Sequence, residues 1–483
     1  SASAGILYNI YKTDFSQNGA AGKMVEYRHM TVNGAVNYAY DDRYVATFSF
    51  AADGSDNYRP GNRWGFYPSL GLGWIVSRER FLRDSRTVDL LKLRASVGKN
   101  GWDPMGEMRY LWEGYYTGRG GLNTGNSEHT WHGGTALSYL PNPGIFAEKS
   151  LKYDAGIDLR LWNRLSLNVD LFLEKRSGIV TQDWMIPGAS GVDNPPYRNI
   201  GRMTNKGFDV QLSWADRIGD FNYALTGMAS YNSNKVDYMA EVVTVPTAAR
   251  TGRRLDALFG YVADGFYDWD DFDVGGELRE GLPKPTFGAV QPGDIKYKNL
   301  NGDTVIDEND QTAIGDSYLP KLQYSFSLAA SYKGFDLFAL FQGAAGRDVN
   351  LLDAPLQNVA FRDNGNVYGI AEGRWAYYPE QGIDTRATAT YPRLSLQDNS
   401  NNYRNSTLWK RSGDFLKLRN VELGYTFAQP SLSKAGISKI RIYLSGVNLL
   451  TVSKLMRDYD IDPEILSGHP ALKSYNLGLT VTF

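Results

Sequence analysis

Ser474-Tyr-Asn-Leu-Gly-Leu-Thr-Val-Thr-Phe483 is the stretch whose reading decides the fold. Tyr475, Leu477, Leu479, Val481 and Phe483 fall on one face of an extended strand; Ser474, Asn476, Gly478, Thr480 and Thr482 fall on the other. Successive side chains of a strand point to opposite faces, so this is period-2 alternation without an exception. A strand of about ten residues with one apolar and one polar face suits a bilayer-spanning sheet, apolar side to lipid and polar side to water. A half-buried strand of a soluble sheet alternates in the same way, so the rest of the chain has to discriminate.

Working outward, the same pattern recurs. Ile440, Ile442 and Leu444 precede it, and Val421, Leu423, Tyr425 and Phe427 precede those. Further upstream lie Phe335–Phe341, Leu322–Tyr332, Phe221–Tyr231, Phe208–Trp214, Leu165–Leu173, Leu151–Leu161, Leu91–Val97, Trp64–Trp74, Tyr44–Phe50 and Val32–Tyr40. Tight turns at Asp41-Asp42, Asn163-Arg164 and Lys333-Gly334 alternate with long segments near 100–148, 236–320 and 347–411. Outer-membrane barrels alternate short periplasmic turns with long outer loops in this manner. Strands running toward the short-turn side end on Phe483, Phe427, Tyr332, Trp214, Trp162, Trp74 and Tyr40, with Trp162 one residue off parity and placed in its turn. Aromatics at one end of alternate strands are what a membrane-interface girdle requires, and a soluble sandwich has no use for them.

Composition agrees. The 483 residues carry a net charge of −2, which argues against a nucleic-acid partner. Fifty-one Gly and 32 Tyr, with aromatics at 13%, suit turns and interfaces of a barrel. No run of about 18 apolar residues exists for a spanning helix. Cysteine is absent, which excludes disulfides and thiolate metal sites. The opening Ser-Ala-Ser-Ala-Gly lacks the features of a signal peptide, so the chain reads as mature or as a fragment.

The expected fold is all-β: a transmembrane antiparallel β-barrel portion of about thirteen strands, or fourteen if Ile6–Tyr11 forms the outer stub of one more. An odd count with an inward last strand places the start of the chain on the outer side. That reads as the C-terminal part of a larger barrel, whose last strand pairs with a segment outside this sequence.

Several stretches resemble the SusC/RagA family of TonB-dependent outer-membrane transporters. They are Tyr40-Asp-Asp-Arg-Tyr, Gly61-Asn-Arg-Trp-Gly-Phe-Tyr-Pro-Ser, Leu91-Lys-Leu-Arg-Ala-Ser-Val-Gly and Pro292-Gly-Asp-Ile-Lys-Tyr-Lys-Asn-Leu-Asn-Gly-Asp. Tyr332-Lys-Gly-Phe-Asp-Leu, Tyr403-Arg-Asn-Ser-Thr-Leu-Trp, Gly413-Asp-Phe-Leu-Lys-Leu-Arg-Asn-Val-Glu-Leu-Gly-Tyr and Gly446-Val-Asn-Leu-Leu follow in order. The resemblance implies a barrel of roughly 22 strands, of which residues 1–483 are the C-terminal part, without the plug domain and the N-terminal strands. It implies a Bacteroidetes-type outer-membrane location and import of large nutrients, oligosaccharides in most members and peptides in some. The implied partners are a SusD-like surface lipoprotein, the N-terminal plug and barrel segment of the same protein, and TonB–ExbB–ExbD acting through that missing region. The competing readings are a complete, smaller passive porin and a secreted all-β glycan-binding protein.

Two site patterns stand out. Asn299, Asn301, Asp303, Asp307 and Asp310 occupy positions 1, 3, 5, 9 and 12 of a twelve-residue loop, with the Val305 carbonyl at position 7. This is the oxygen spacing of an EF-hand-type Ca2+ loop, although position 6 is Thr304 rather than Gly. The competing reading is an Asx-rich turn that satisfies its own backbone. The second pattern is aromatic density in the long segments: Trp102, Trp112, Tyr115, Tyr116, Trp131 and Trp375 are candidate platforms for sugar stacking. Packing between loops or against a partner is the simpler account of any one such residue. Glu128, His129 and His132 share a Gly-rich loop and read as solvated. No nucleophile elbow, phosphate loop or zinc-protease pattern is present, so no catalysis is expected.

Overall fold

A computed structural model describes residues 2–13, 25–103, 109–114, 116–124, 130–137, 139–190, 194–243, 245–353, 366–396, 399–427, 436–469 and 471–483. Fourteen strands form one sheet in strict sequence order. They are β1 (Ala2–Thr13), β2 (Val25–Tyr40), β3 (Tyr44–Ser55), β4 (Trp64–Ile75), β5 (Val88–Trp102), β6 (Glu148–Leu161) and β7 (Leu165–Gln182). The rest are β8 (Tyr197–Ile218), β9 (Phe221–Tyr238), β10 (Leu322–Tyr332), β11 (Phe335–Ala345), β12 (Phe415–Phe427), β13 (Lys439–Ser453) and β14 (Ser474–Thr482). Within this sheet every pairing whose register is described is antiparallel, from Ala2 opposite Val36 to Ile442 opposite Leu479. By contacts the chain divides into two compact units, Ser1–Asn163 with Leu167–Phe208 and Asn234–Val242, and the remainder.

The short turns follow from backbone chemistry. Asp41 and Asp42 both take left-handed φ, as do Trp162 and Asn163, and Lys333 and Gly334. Paired left-handed residues reverse the chain with the right-handed twist that flanking strands need. Asp, Asn and Gly tolerate that region; Trp162 does so only because the hairpin imposes it.

The sheet buries little on its apolar side. Leu477 is 74% exposed, Leu479 64%, Leu423 52% and Phe326 48%, so these side chains are not packed in a protein core. A soluble sandwich would have covered them. In the first unit Tyr44 stacks on Trp74 at 6.4 Å and lies 6.5 Å from Tyr40, forming an aromatic band at the short-turn end. Glu79 fixes this band by accepting from Tyr44 Oη (2.7 Å), Trp74 Nε1 (3.1 Å) and Arg43 Nη1 (2.9 Å). Phe50 packs 5.9 Å from Phe66 near the other end. From Trp64 to Trp74 the ten steps of β4 span about 33 Å along the strand and about 23 Å along a membrane normal at 45° tilt. That matches the roughly 25 Å apolar band of outer-membrane barrels.

Three expectations are corrected. β1 is a full strand of 12 residues, not a stub, so the count is even. Its alternation is diluted by Ala2, Ala4 and Gly5, which is why it reads poorly. Because Ala2 pairs with Val36 and Thr13 with Val25, residue 2 lies toward the short-turn end rather than the outer side. Second, β8 runs past Trp214 to Ile218, so Trp214 does not end its strand; its Nε1 donates to Tyr223 Oη at 3.3 Å. Third, connection length does not alternate everywhere, since β3 and β4 are joined by residues 56–63 and β4 and β5 by the longer 76–87. β7, β8 and β9, with 18, 22 and 18 residues, exceed the 9–11 or so that a bilayer needs and continue beyond it.

Leu477→Arg is expected to cost about 2–4 kcal/mol of stability in a bilayer, and Asn476→Arg on the opposite face well under half of that. Denaturant titration of each variant folded into lipid vesicles measures the difference; equal costs would contradict the assignment of faces.

Candidate functional site

The face opposite the apolar one carries paired charge. In the first unit Arg94 of β5 reaches Asp170 of β7 with both terminal nitrogens, one at 2.6 Å, and Asp158 of β6 at 3.4 Å. Asn168 Nδ2 donates to Asp158 at 2.9 Å. In the second unit Arg441 of β13 reaches Asp336 of β11 through Nε at 3.0 Å and Glu422 of β12 through Nη2 at 2.5 Å. Guanidinium forks across neighbouring strands neutralise acids that would otherwise repel one another. The result is a hydrophilic wall whose charges are paired across strands.

The long segments of the second unit are packed around a core of their own. Tyr261, Ile295, Tyr297, Ile306, Val349, Trp409 and Leu455 are buried together. A buried carboxylate, Asp294, ties this core. It accepts from Asn399 Nδ2 at 3.0 Å, Asn402 Nδ2 at 2.9 Å and the Gln291 amide at 2.8 Å, and pairs with Arg393 at 2.7 Å. Asn402 Oδ1 takes the Ile295 amide (2.8 Å), and its carbonyl takes Trp409 Nε1 (2.7 Å). Burial pushes the Tyr297 phenol well above its ordinary value, so it stays a donor, here to the Asn401 carbonyl at 2.6 Å. A second buried cluster joins Lys417 to Asp462 (2.8 Å) and Glu464 (2.7 Å), with Arg419 also on Glu464. Burial pushes both carboxyls up, but the hydrogen bonds from Lys417 and Arg419 outweigh it and hold them below their ordinary values.

The Asn299–Asp310 loop hangs from this core by buried Ile306. Asp310 is buried and accepts the amides of Leu300 (2.7 Å) and Asp307 (2.9 Å). Asp307 Oδ1 takes the Asn309 amide (2.8 Å), closing a reciprocal cap on the turn Glu308–Asp310. Asn301 and Asp303 are exposed; Asp303 Oδ1 takes the Val305 amide (2.8 Å) and Asn301 Oδ1 the Asp303 amide (3.0 Å). Asn299 Oδ1 takes the Gly302 amide at 2.6 Å. Among the described residues no group of three or more His, Cys, Asp or Glu side chains converges as a metal site would need. The oxygens are of the hard type a calcium ion takes, but Asp310 is turned onto backbone amides.

The sequence family described as TonB dependent receptor-like, beta-barrel matches residues 4–449. The chain belongs to that family. It is thereby an outer-membrane β-barrel protein of a transporter family, not of an enzyme family. TonB-dependent receptor P3 of Formosa agariphila is 27% identical over 94% of this chain and 45% of its own length. TonB-dependent receptor SusC of Bacteroides thetaiotaomicron is 25% identical over 93% of this chain and 43% of its own. The solved RagAB peptide transporter shares the fold, with a TM-score of 0.70 at 22% identity over 96% of this chain and 48% of that one. The chain thus spans less than half the length of these relatives.

Within this TonB-dependent barrel the aromatic candidates part company. Trp102 is exposed at the outer end of β5. Trp112 packs against the buried cluster of Tyr58, Leu111, Tyr139 and Ile145. Trp375 is buried, and its ring covers Gly293, where a Cβ would meet it at 2.5 Å. It belongs to the packed base of the segment and offers no face for a sugar. Tyr115, Glu128 and His129 lie outside the described residues. Tyr116 and Trp131 belong to a hairpin, Tyr116–Thr124 with Thr130–Leu137, in which only the backbone is described at those positions.

Sequence reasoning missed the Arg94, Arg441, Asp294 and Lys417 clusters. A charged residue on the polar side of an alternating strand was a usable signal for the first two. For Asp294 the signal was a Pro-Gly-Asp turn facing an Asn-rich run, residues 399–402, more than a hundred positions away.

Two outcomes are expected. Asp294→Ala removes one partner of a buried ion pair and should cost about 3–5 kcal/mol, opening residues 399–409 to protease while the sheet stays folded. The Asp462 and Glu464 carboxyls lie lower in the folded chain than in the unfolded one. Their stabilisation is therefore complete above the ordinary carboxylate range of about pH 4 and is lost as pH falls through the folded values. Protease protection of residues 454–473, followed across pH, should decline on the acid side only.

Proposed function

We propose that this chain is the C-terminal part of the barrel of a SusC-type importer, which takes up large nutrients, oligosaccharides or peptides, across the outer membrane. The observation that carries this reading is the contrast between an uncovered apolar face and an ion-paired polar face on one fourteen-stranded sheet. An apolar face meets lipid, and a hydrophilic wall whose charges are paired with one another passes neutral, hydroxyl-rich or peptide cargo without trapping it. Family membership supports the energy source, TonB–ExbB–ExbD, acting through an N-terminal plug of the same protein. Among the described residues β1 has only β2 as neighbour and β14 only β13, so further strands of that protein would complete the sheet. Likeness to SusC and to the RagAB peptide transporter supports a SusD-like lipoprotein as cap. Exposed Trp269, Val274 and Leu396 in the long segments are apolar surface such a cap would cover. Uptake of labelled oligosaccharides and of labelled peptides by cells with and without the intact gene tests the reading. Loss of uptake for one class supports it; unchanged uptake of both, with small-solute leakage instead, favours a passive porin.

We also propose that the Asn299–Asp310 loop takes a structural Ca2+ through Asn299, Asn301, Asp303, Asp307 and the Val305 carbonyl, with Asp310 buttressing the turn from inside. The oxygen spacing and the exposed Asp303 support this. Calorimetry should detect binding at or below millimolar Ca2+ that Asp303→Ala weakens at least tenfold; no heat at millimolar Ca2+ would reject the site.

A further inference from the structure

A groove of about 560 Å³ crosses the apolar face of β2 to β5 beside the aromatic band at the short-turn end. Its floor is Ala46, Leu72 and Ala95, which lie opposite one another on adjacent strands, with Tyr38 at the end of the same row. The next row toward the turns is Tyr44, Trp74 and Leu93, about 7 Å away along the strands. Two methyl groups thus stand among large side chains, and the volume they leave empty is the groove. Tyr38, Tyr44, Leu72 and Trp74 are all exposed on this face, the lipid side. The intervening residues point the other way. Arg94 reaches Asp158 and Asp170, and Val45 shares the polar side with Lys92 around Gly73.

The chain from β4 to β5, residues 76–87, runs past the turn-side end of this groove and carries Arg78, Arg80, Arg83 and Arg86 against Glu79 and Asp84. Glu79 fixes its course. The carboxylate meets Tyr44 Oη and Trp74 Nε1, so the segment passes under the two rings that close the groove. The Glu79 carbonyl takes the amides of Leu82 (3.0 Å) and Arg83 (2.8 Å), a tight turn that leaves Phe81 73% exposed. An exposed phenylalanine beside an aromatic band suits the membrane interface. The charges here do not cancel. Asp41 and Glu79 are taken by Arg43, and Asp42 by Arg78 at 3.2 Å. Asp84 stands 4.0 Å from Arg83, both largely exposed, which is a weak pair. Arg80 and Arg86 are exposed and pair with no acid among the described residues. Arg80 follows the base of β4 and Arg86 precedes that of β5, so both unpaired cations lie at the end of the sheet where the groove opens. In outer-membrane barrels that end faces the periplasm.

We infer that this site holds one anionic phospholipid of the periplasmic leaflet, with an acyl chain over Ala46 and Ala95 and its phosphate at Arg80 and Arg86. Guanidinium groups bind phosphate oxygens through paired donors. Tyr44 Oη and Trp74 Nε1 are already spent on Glu79, so the arginines supply the recognition. Cations at a membrane surface with no acid to answer them favour an anionic headgroup over a zwitterionic one.

The test uses the full-length protein purified in mild detergent and stripped of lipid, with binding followed by native mass spectrometry. The first phosphatidylglycerol should bind at least about fivefold tighter than phosphatidylcholine with the same acyl chains. Arg80→Ser/Arg86→Ser should remove that preference. Ala46→Phe/Ala95→Phe, which fills the groove with two rings, should weaken the first site for both lipids. Lys284→Ser/Lys298→Ser, the same charge loss at exposed positions of the second unit, should leave binding unchanged. Heat-modifiable migration confirms the folding of every variant. Equal binding of the two lipids, a preference that survives Arg80→Ser/Arg86→Ser, or a first site untouched by filling the groove would each overturn the inference. Full displacement of the lipid by millimolar glycerol phosphate, the headgroup without its chains, would do so as well.

Discussion

A backbone amide in hydrocarbon has no water to bond with, and everything else in this chain follows from that constraint. Antiparallel pairing satisfies the amides of the twelve inner strands between neighbours, which frees the side chains to sort by face. Period 2 then does the sorting, placing Leu477 and Leu479 on one side and Asn476 and Thr480 on the other. The sheet's stability rests on its ladder of hydrogen bonds and on lipid contact, with little dry protein core beneath it.

The dry core sits elsewhere, in the long segments. There the apolar residues Tyr261, Ile295, Trp409 and their neighbours close over buried polar ties. Asp294 orders two stretches distant in sequence by giving Asn399, Asn402 and Arg393 one shared acceptor. A buried carboxylate with several partners specifies one arrangement of chain, because any alternative leaves charge unsatisfied. On the polar face of the sheet the same logic operates more openly, with Arg94 and Arg441 each tying acids on two neighbouring strands. The long segments of the second unit are thus a packed body with a core and polar ties of their own.

The strands were legible wherever large apolar residues alternated, as at Val421–Phe427, and illegible where small ones diluted the period, as in β1. Chain direction at the start was misread for the same reason, since one missed strand inverts the parity of the count. The packing of the long segments left no periodic trace, because irregular backbone buries residues one at a time. Trp375 shows the consequence: aromatic density is visible in a sequence, but whether a ring faces solvent or covers Gly293 depends on contacts made across long sequence separations. In the Asn299–Asp310 loop the spacing of oxygens was legible; the turning of Asp310 onto the amides of Leu300 and Asp307 was not.

These 483 residues contain no cysteine, so a label placed on the sheet reports the chosen position alone. Single cysteines placed in turn from Asn476 to Val481 in the full-length protein, with any cysteine outside these 483 residues replaced, can be probed from both phases in its own membrane. Positions 477, 479 and 481 should be quenched by lipid-borne nitroxide and shielded from a water-soluble maleimide. Positions 476, 478 and 480 should show the reverse. Uniform labelling along the strand, or burial of 477, 479 and 481 from both probes, would contradict a sheet with one face in lipid and the other in water.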